Sequence, residues 1–287
     1  MQVFNSYVQP DAKMTLISTP SRIVTLGYEA YDTLCALGAE ASIIAAPKHR
    51  IPEYLNSMPD SVADTESLTD IDLEQMSALK PDLIISSART AHLLDELDEI
   101  APVFNYETYS SQYWSNFDEI NLELARIIDK EAEAQRLIAD LNVRADRIRK
   151  ASQAADNTNL LLLHDDNKFM TFKPNSRFAL IFTLLGFPAV NRQYSFTDLG
   201  EAISVPEIID LNADRVFIIN RTAAMRYDPE QDAHEQRMLM QRNDLQTIKA
   251  SETGKLYFLT PDLWYLSGGG LDSTGLQLEE LSEILGF

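Results

Sequence analysis

Between Glu131 and Lys150 the chain carries no glycine and no proline, and Ala134, Leu137, Ile138, Leu141, Ala145 and Ile148 return at spacings of three and four residues. That period places the apolar side chains on one stripe, so the segment reads as a single amphipathic helix and not as a flexible linker. Carried over about 25 residues at about 1.5 Å each, it would span about 37 Å, enough to run from one compact lobe to another. The plainer alternative is a surface helix of one large domain.

Short β-rich blocks flank this helix in two groups. Arg22–Leu26, Ser42–Ala46, Leu83–Ser86 and Val103–Asn105 precede it; Leu160–Leu163, Phe169–Phe172, Val216–Ile219 and Leu256–Leu259 follow it. Helical patterns alternate with the blocks, as in βαβ units with a parallel sheet. A chain of 287 residues also exceeds the common single-domain size of about 100–150 residues. The fold expected is therefore α/β: two Rossmann-like lobes with central sheets joined by one long bridging α-helix. The N-terminal lobe would take 1–128, the bridge 129–155 and the C-terminal lobe 156–287.

Charge narrows the partners. A formal net charge of −20 repels the phosphate backbone and anionic lipid, so an anionic ligand would need a local basic pocket. Cys35 is the single cysteine, which rules out an intramolecular disulfide and reads as a small buried hydrophobe. No apolar run approaches the roughly 20 residues of a membrane span, and Met1 is followed by polar Gln2, Asn5 and Ser6. The chain therefore reads as cytoplasmic or as an exported protein without its signal. Enzyme motifs fail on missing parts: Gly268-Gly-Gly270 lacks the lysine of a phosphate loop, and there is no G-x-S-x-G or G-x-G-x-x-G. A cytoplasmic α/β enzyme or sensor stays open as an alternative of another class.

An internal near-repeat links the halves. Leu79-Lys-Pro-Asp82 leads into one strand block and ends at Arg89; Leu211-Asn-Ala-Asp214 leads into another and ends, at the same spacing, at Arg221. Ligands of parallel α/β sheets collect outside the carboxyl ends of the strands, so each lobe would present one guanidinium to a cleft. Arg177, after the Phe169–Phe172 block, is expected at the start of a helix running to Leu185-Gly186, where the helix end also favours anions. Tyr265, in Pro261-Asp-Leu-Trp264-Tyr265 before the Gly268–Gly270 run, lies at such an edge too. Its phenolate would be a hard oxygen ligand for a strong Lewis acid such as Fe(III). Packing of the aromatic pair under the glycine-rich turn is the bland alternative.

With these residues in place the chain resembles the periplasmic siderophore-binding proteins of ABC iron importers, in their catecholate-binding, FatB/CeuE-like branch. The landmarks are Ile71–Ile85, Ser86–Arg89 with Glu99–Pro102, Ser176-Arg-Phe with Leu185-Gly-Phe187, and Asp262–Leu271. The resemblance implies the class III periplasmic binding protein architecture, no enzymatic activity, and a ferric siderophore held in the interlobe cleft. It implies that Arg89, Arg177 and Arg221 neutralise the anionic complex beside Trp264, that Tyr265 binds iron, and that iron arrives within the ligand with no intrinsic cofactor. The branch commonly adds a histidine ligand where this chain has Leu199; Tyr194, Asp198 or His164 could substitute, or the ligand could fill the iron sphere alone. His49, His92 and His234 show no metal-ligand spacing. Docking on an inner-membrane ABC permease would use Glu74 and, in the second lobe, Glu207 or Glu201. A monomer, periplasmic or lipid-anchored outside the cell membrane, is implied, with haem, a corrinoid or a carboxylate siderophore as alternative ligands.

Overall fold

The computed structural model describes residues 2–5, 13–66, 68–107, 113–155, 157–194, 200–226 and 229–286. Its strands are β1 (Gln2–Asn5), β2 (Lys13–Leu16), β3 (Ile23–Thr25), β4 (Ile43–Ala46), β5 (Ala63–Asp64), β6 (Leu83–Ser87), β7 (Val103–Tyr106), β8 (Asn159–Asp165), β9 (Lys168–Thr171), β10 (Glu201–Ile203), β11 (Arg215–Asn220) and β12 (Leu256–Leu259). The helices are α1 (Tyr28–Ala36), α2 (Leu73–Ala78), α3 (Leu94–Asp98), α4 (Tyr113–Ile127), α5 (Glu131–Ala154), α6 (Val205–Leu211), α7 (Arg221–Arg226), α8 (Pro229–Met240), α9 (Asn243–Gln246), α10 (Lys249–Glu252), α11 (Pro261–Tyr265) and α12 (Leu271–Leu285).

Two five-stranded sheets share the apolar blocks between two compact units. In the first unit the order is β5-β4-β3-β6-β7, every pair parallel. Both β3 and β6 are buried along their whole length, because helices cover both faces of a parallel sheet. One side of that core joins Val24, Ala45, Met76, Ile84, Leu97 and Val103.

The second sheet runs β10-β9-β8-β11-β12. Here β8, β11 and β12 are parallel, but β9 is antiparallel to both its neighbours, which corrects the expectation of an all-parallel sheet. The reason is local. Asp166 and Asn167 both take positive φ, 43° and 66°, and so form a two-residue turn that fits the strand twist and returns the chain at once.

Helix α5 is the expected amphipathic segment, 24 residues long. Its buried stripe is Ala134, Ile138, Leu141, Ala145 and Ile148. The division between the units falls inside it, Leu141 grouping with the first and Asn142 with the second. A contiguous C-terminal lobe from 156 onward does not describe the chain, however, since Ser267–Gly275 groups with the first unit.

Asp32 holds that returning segment. Its carboxylate accepts the N–H groups of Asp272 and Ser273, each at 2.8 Å, at the start of α12, and the hydroxyl of Tyr54 at 2.9 Å. Burial pushes the Asp32 carboxyl up to about 7 against the pull of these donors. Glycine is required next to it. A Cβ on Gly270 would clash with the Asp32 carboxylate and lie 2.7 Å from the Glu29 carbonyl oxygen.

The near-repeat has a structural half that sequence spacing did not reveal. Asp82 accepts the backbone N–H groups of Ser21 at 2.9 Å and Arg22 at 2.8 Å, just before β3. Asp214 does the same for the second sheet, accepting the N–H and the hydroxyl of Thr158 at 2.8 Å each, just before β8, and pairing with Lys249. Each carboxylate ties the start of one central strand to its neighbour. Among the described residues no helix is long and apolar enough to cross a membrane.

Two outcomes are expected. The Lys249 and Thr158 donors lower the Asp214 carboxyl from 3.8 to about 2, so its contribution to stability is present above pH 3.8 and is lost as pH falls through about 2. In urea unfolding, Asp214→Asn should be less stable than wild type at neutral pH, and the gap should close across that window; a gap independent of pH would show that the held charge is not what matters. Gly270→Ala should cost about 1–3 kcal/mol, the usual range for overpacking a tight site, and a thermal midpoint equal to wild type would contradict the contact with Asp32.

Candidate functional site

In the second unit three strand ends converge. Asp165 is the last residue of β8, Arg221 directly follows β11, and Tyr265 closes α11, which follows β12. All three strands are parallel, so these residues share the carboxyl edge of the sheet. A proline at the first turn of α11 starts that short helix immediately after the strand and sets Tyr265 near the edge.

Side-chain geometry makes one cluster of them. Arg221 donates through Nε to the Tyr265 hydroxyl oxygen at 2.7 Å and through Nη1 to the Asp165 carboxylate at 2.6 Å. Arg177 donates through Nη2 to the Tyr265 carbonyl oxygen at 2.6 Å, and its guanidinium carbon lies 4.3 Å from the Tyr265 ring centroid. The same guanidinium is 5.4 Å from the ring of Phe178. A phenol between two cations is thus stacked on one and hydrogen-bonded to the other. Burial pushes the Tyr265 phenol up, but the Arg221 hydrogen bond and the charges of Arg177 and Arg221 outweigh it and hold the phenol below its usual value.

The chemistry follows from that balance. An oxygen whose anion is favoured by its neighbours, beside two forked donors, suits a hard metal ion already wrapped in anionic oxygens. Asp165 takes part of the positive charge, and both it and Arg221 keep about a third of their side-chain surface exposed, 35% and 37%.

The expected position of Arg177 at a helix start needs correction. It lies in a turn, and only a single π-type turn, Leu180–Leu184, follows. Arg177 thus precedes that segment and does not start it, and its guanidinium is placed by Tyr265 and Phe178. Trp264 is corrected too. It is 2% exposed, and its indole N–H donates to Glu280, which also accepts the Thr260 N–H at 2.8 Å. Its neighbour Tyr265 faces the edge while Trp264 faces the core.

The candidate second iron ligands separate as well. His164 belongs to β8 and not to a loop; it is 5% exposed with its ring 5.2 Å from that of Phe169. Because successive strand residues point to opposite faces, His164 points away from the side that Asp165 and Arg221 occupy. Burial lowers its pKa, which disfavours the charged ring. Tyr194 is half-buried near Arg192, 5.9 Å from ring centroid to guanidinium, and burial pushes its phenol up, opposite to Tyr265. Asp198 lies outside the described residues. Among the described residues no group of three His, Cys, Asp or Glu side chains is placed to hold a metal ion.

Arg89 follows β6 and is half-buried at the carboxyl edge of the first sheet. Burial and then the Asp64 carboxylate push the Tyr28 phenol up, and the charges of Arg89 and Arg50 act against them. Glu74 is exposed in the first turn of α2, whose N-cap is Asp72. Glu207 is exposed but occupied: its carboxylate accepts the N–H of Ser204 at 2.8 Å in a capping box and pairs with Arg192 at 3.6 Å. Glu201 also pairs with Arg192, at 3.7 Å.

Sequence reasoning missed Asp165. The signal was the Asp-Asn pair after it, a hairpin turn that fixes Asp165 as a strand end in register with Lys168.

Several known proteins are similar to this chain. The petrobactin-binding protein YclQ of Bacillus subtilis is 27% identical over 265 residues, which cover 92% of this chain and 82% of that protein. The ferric-anguibactin-binding protein FatB of Vibrio anguillarum is 25% identical over 282 residues, covering 96% of this chain and 85% of that one. Among solved structures, the iron uptake ABC transporter substrate-binding protein PiuA of Streptococcus pneumoniae superposes with a TM-score of 0.90 at 30% identity, with 98% of each chain covered. The periplasmic binding protein family matches residues 23–263, and the chain belongs to that family.

Proposed function

We propose that this protein is the substrate-binding component of an ABC importer that captures a ferric siderophore, chiefly of the catecholate type, outside the cytoplasmic membrane and delivers it to the permease. The observation that carries this reading is the Tyr265 phenol set between Arg177 and Arg221 at the carboxyl edge of the second sheet. Catecholate oxygens bound to iron keep negative charge and lone pairs, which forked guanidinium donors match. Tyr265 is the protein oxygen best prepared to complete the iron sphere, since its phenol is held low while that of Tyr194 is pushed up. Arg89, at the corresponding edge of the first sheet, takes an anion-binding role by the same reasoning. The names of the similar proteins, which bind petrobactin and ferric anguibactin, agree with a siderophore cargo. On the permease side, Glu74 is the better docking carboxylate, because Glu207 already serves its own helix cap and Arg192.

Two measurements test this. Titration with a ferric bis-catechol complex, followed by quenching of intrinsic fluorescence, should give tight binding that Arg177→Gln and Arg221→Gln each weaken by about tenfold or more, the effect of a lost charge-assisted hydrogen bond. Tyr265→Phe should shift the visible charge-transfer band of the bound complex; an unchanged band removes the phenolate from the iron sphere. In the ligand-free protein, Arg221→Gln should raise the pH at which Tyr265 ionises, read by ultraviolet difference spectra against Tyr265→Phe in each background. No upward change would mean that Arg221 does not prepare the phenol.

A further inference from the structure

Arg221 is touched at two points, and the second point is the informative one. Its guanidinium is a rigid planar fork, so the directions of its N–H groups are fixed relative to one another. Nη1 donates to Asp165 Oδ2 at 2.6 Å while Nε donates to the Tyr265 oxygen at 2.7 Å. Holding the first bond therefore sets the direction of the second. Asp165 is itself held in place. The Thr222 hydroxyl donates to Asp165 Oδ1 at 3.2 Å, and the same hydroxyl oxygen accepts the N–H of Asp166 at 3.1 Å. Asp165 also stands in register with Lys168 across the two-residue turn. Orientation passes from the hairpin backbone to a carboxylate, from that to a guanidinium, and from the guanidinium to the phenol.

A carboxylate at this spot would be a poor choice if the site needed only positive charge, because it cancels part of the field that attracts an anion. Its use is geometric. We propose that Asp165 is a positioning residue for the anion site of the second unit, holding the Arg221 fork so that its Nε–H meets the Tyr265 oxygen. The metal-binding consequence rests on the siderophore reading given above; the geometry of Arg221 does not.

Positioning and simple charge cancellation make different predictions for two variants. Both Asp165→Asn and Asp165→Ala remove the same charge, but the Asn amide oxygen still accepts from Nη1. In the ligand-free protein the Arg221 Nε–H resonance, assigned by its loss in Arg221→Gln, can be followed by heteronuclear NMR through its exchange with water. Exchange should speed up by about tenfold in Asp165→Ala and stay within about twofold of wild type in Asp165→Asn, as expected for loss and retention of one charge-assisted hydrogen bond. Unchanged exchange in Asp165→Ala overturns the proposal. Titrated with a ferric bis-catechol complex, Asp165→Asn should bind about tenfold more tightly than Asp165→Ala. Equal affinities of the two variants overturn it as well. If wild type does not bind the ferric complex, the transport reading fails, and the NMR comparison alone then decides the role of Asp165.

Discussion

Each sheet is organised around strands buried on both faces, and a strand so placed can expose polar groups only at its ends. The structure uses both ends. At the start, Asp82 and Asp214 accept the backbone N–H groups that precede the first central strand of each unit, which locks two neighbouring parallel strands in register. At the finish, Arg89 and Arg221 stand at the carboxyl edge. The stiffness of a strand buried along its length, as β6 and β11 are, links the two ends. The site therefore inherits its geometry from the core without needing a rigid loop of its own.

Electrostatics in the second unit work by local contrast. In a chain of net charge −20, two guanidiniums within reach of one phenol make a small positive island. The island is moderated, since Asp165 takes one edge of Arg221. It is also directional, because stacking places Arg177 over the ring face while Arg221 approaches the hydroxyl. These two approaches leave the phenol oxygen as an acceptor in a field that favours its anion, the property a hard metal ion needs from an oxygen ligand.

The aromatic pair Trp264-Tyr265 shows how neighbouring residues divide their tasks. Helix α11 is short, and a change of direction between adjacent residues sends Trp264 into the core toward Glu280 and leaves Tyr265 at the edge. The glycine run that follows serves a different purpose. Gly270 lets the chain pass against Asp32, which caps α12 and groups the segment Ser267–Gly275 with the first unit. A run that reads as ligand-binding in isolation is in part a packing requirement.

Much of the fold is legible in the sequence. The heptad-like stripe of α5, the two groups of strand blocks and the repeated Asp-to-Arg spacing depend on period and order, which a linear sequence states directly. The edge positions of Arg89, Arg221 and Tyr265 followed from the rule that parallel sheets gather function at their carboxyl ends. Tertiary structure alone decided the rest. It turned β9 antiparallel through the Asp166-Asn167 turn, buried His164 and Trp264, left Arg177 in a turn ahead of a five-residue π-type segment, and brought Asp165 to Arg221. Those outcomes depend on which face a side chain leaves and what meets it there, and such pairings arise between residues far apart in the chain, where spacing carries no record of them.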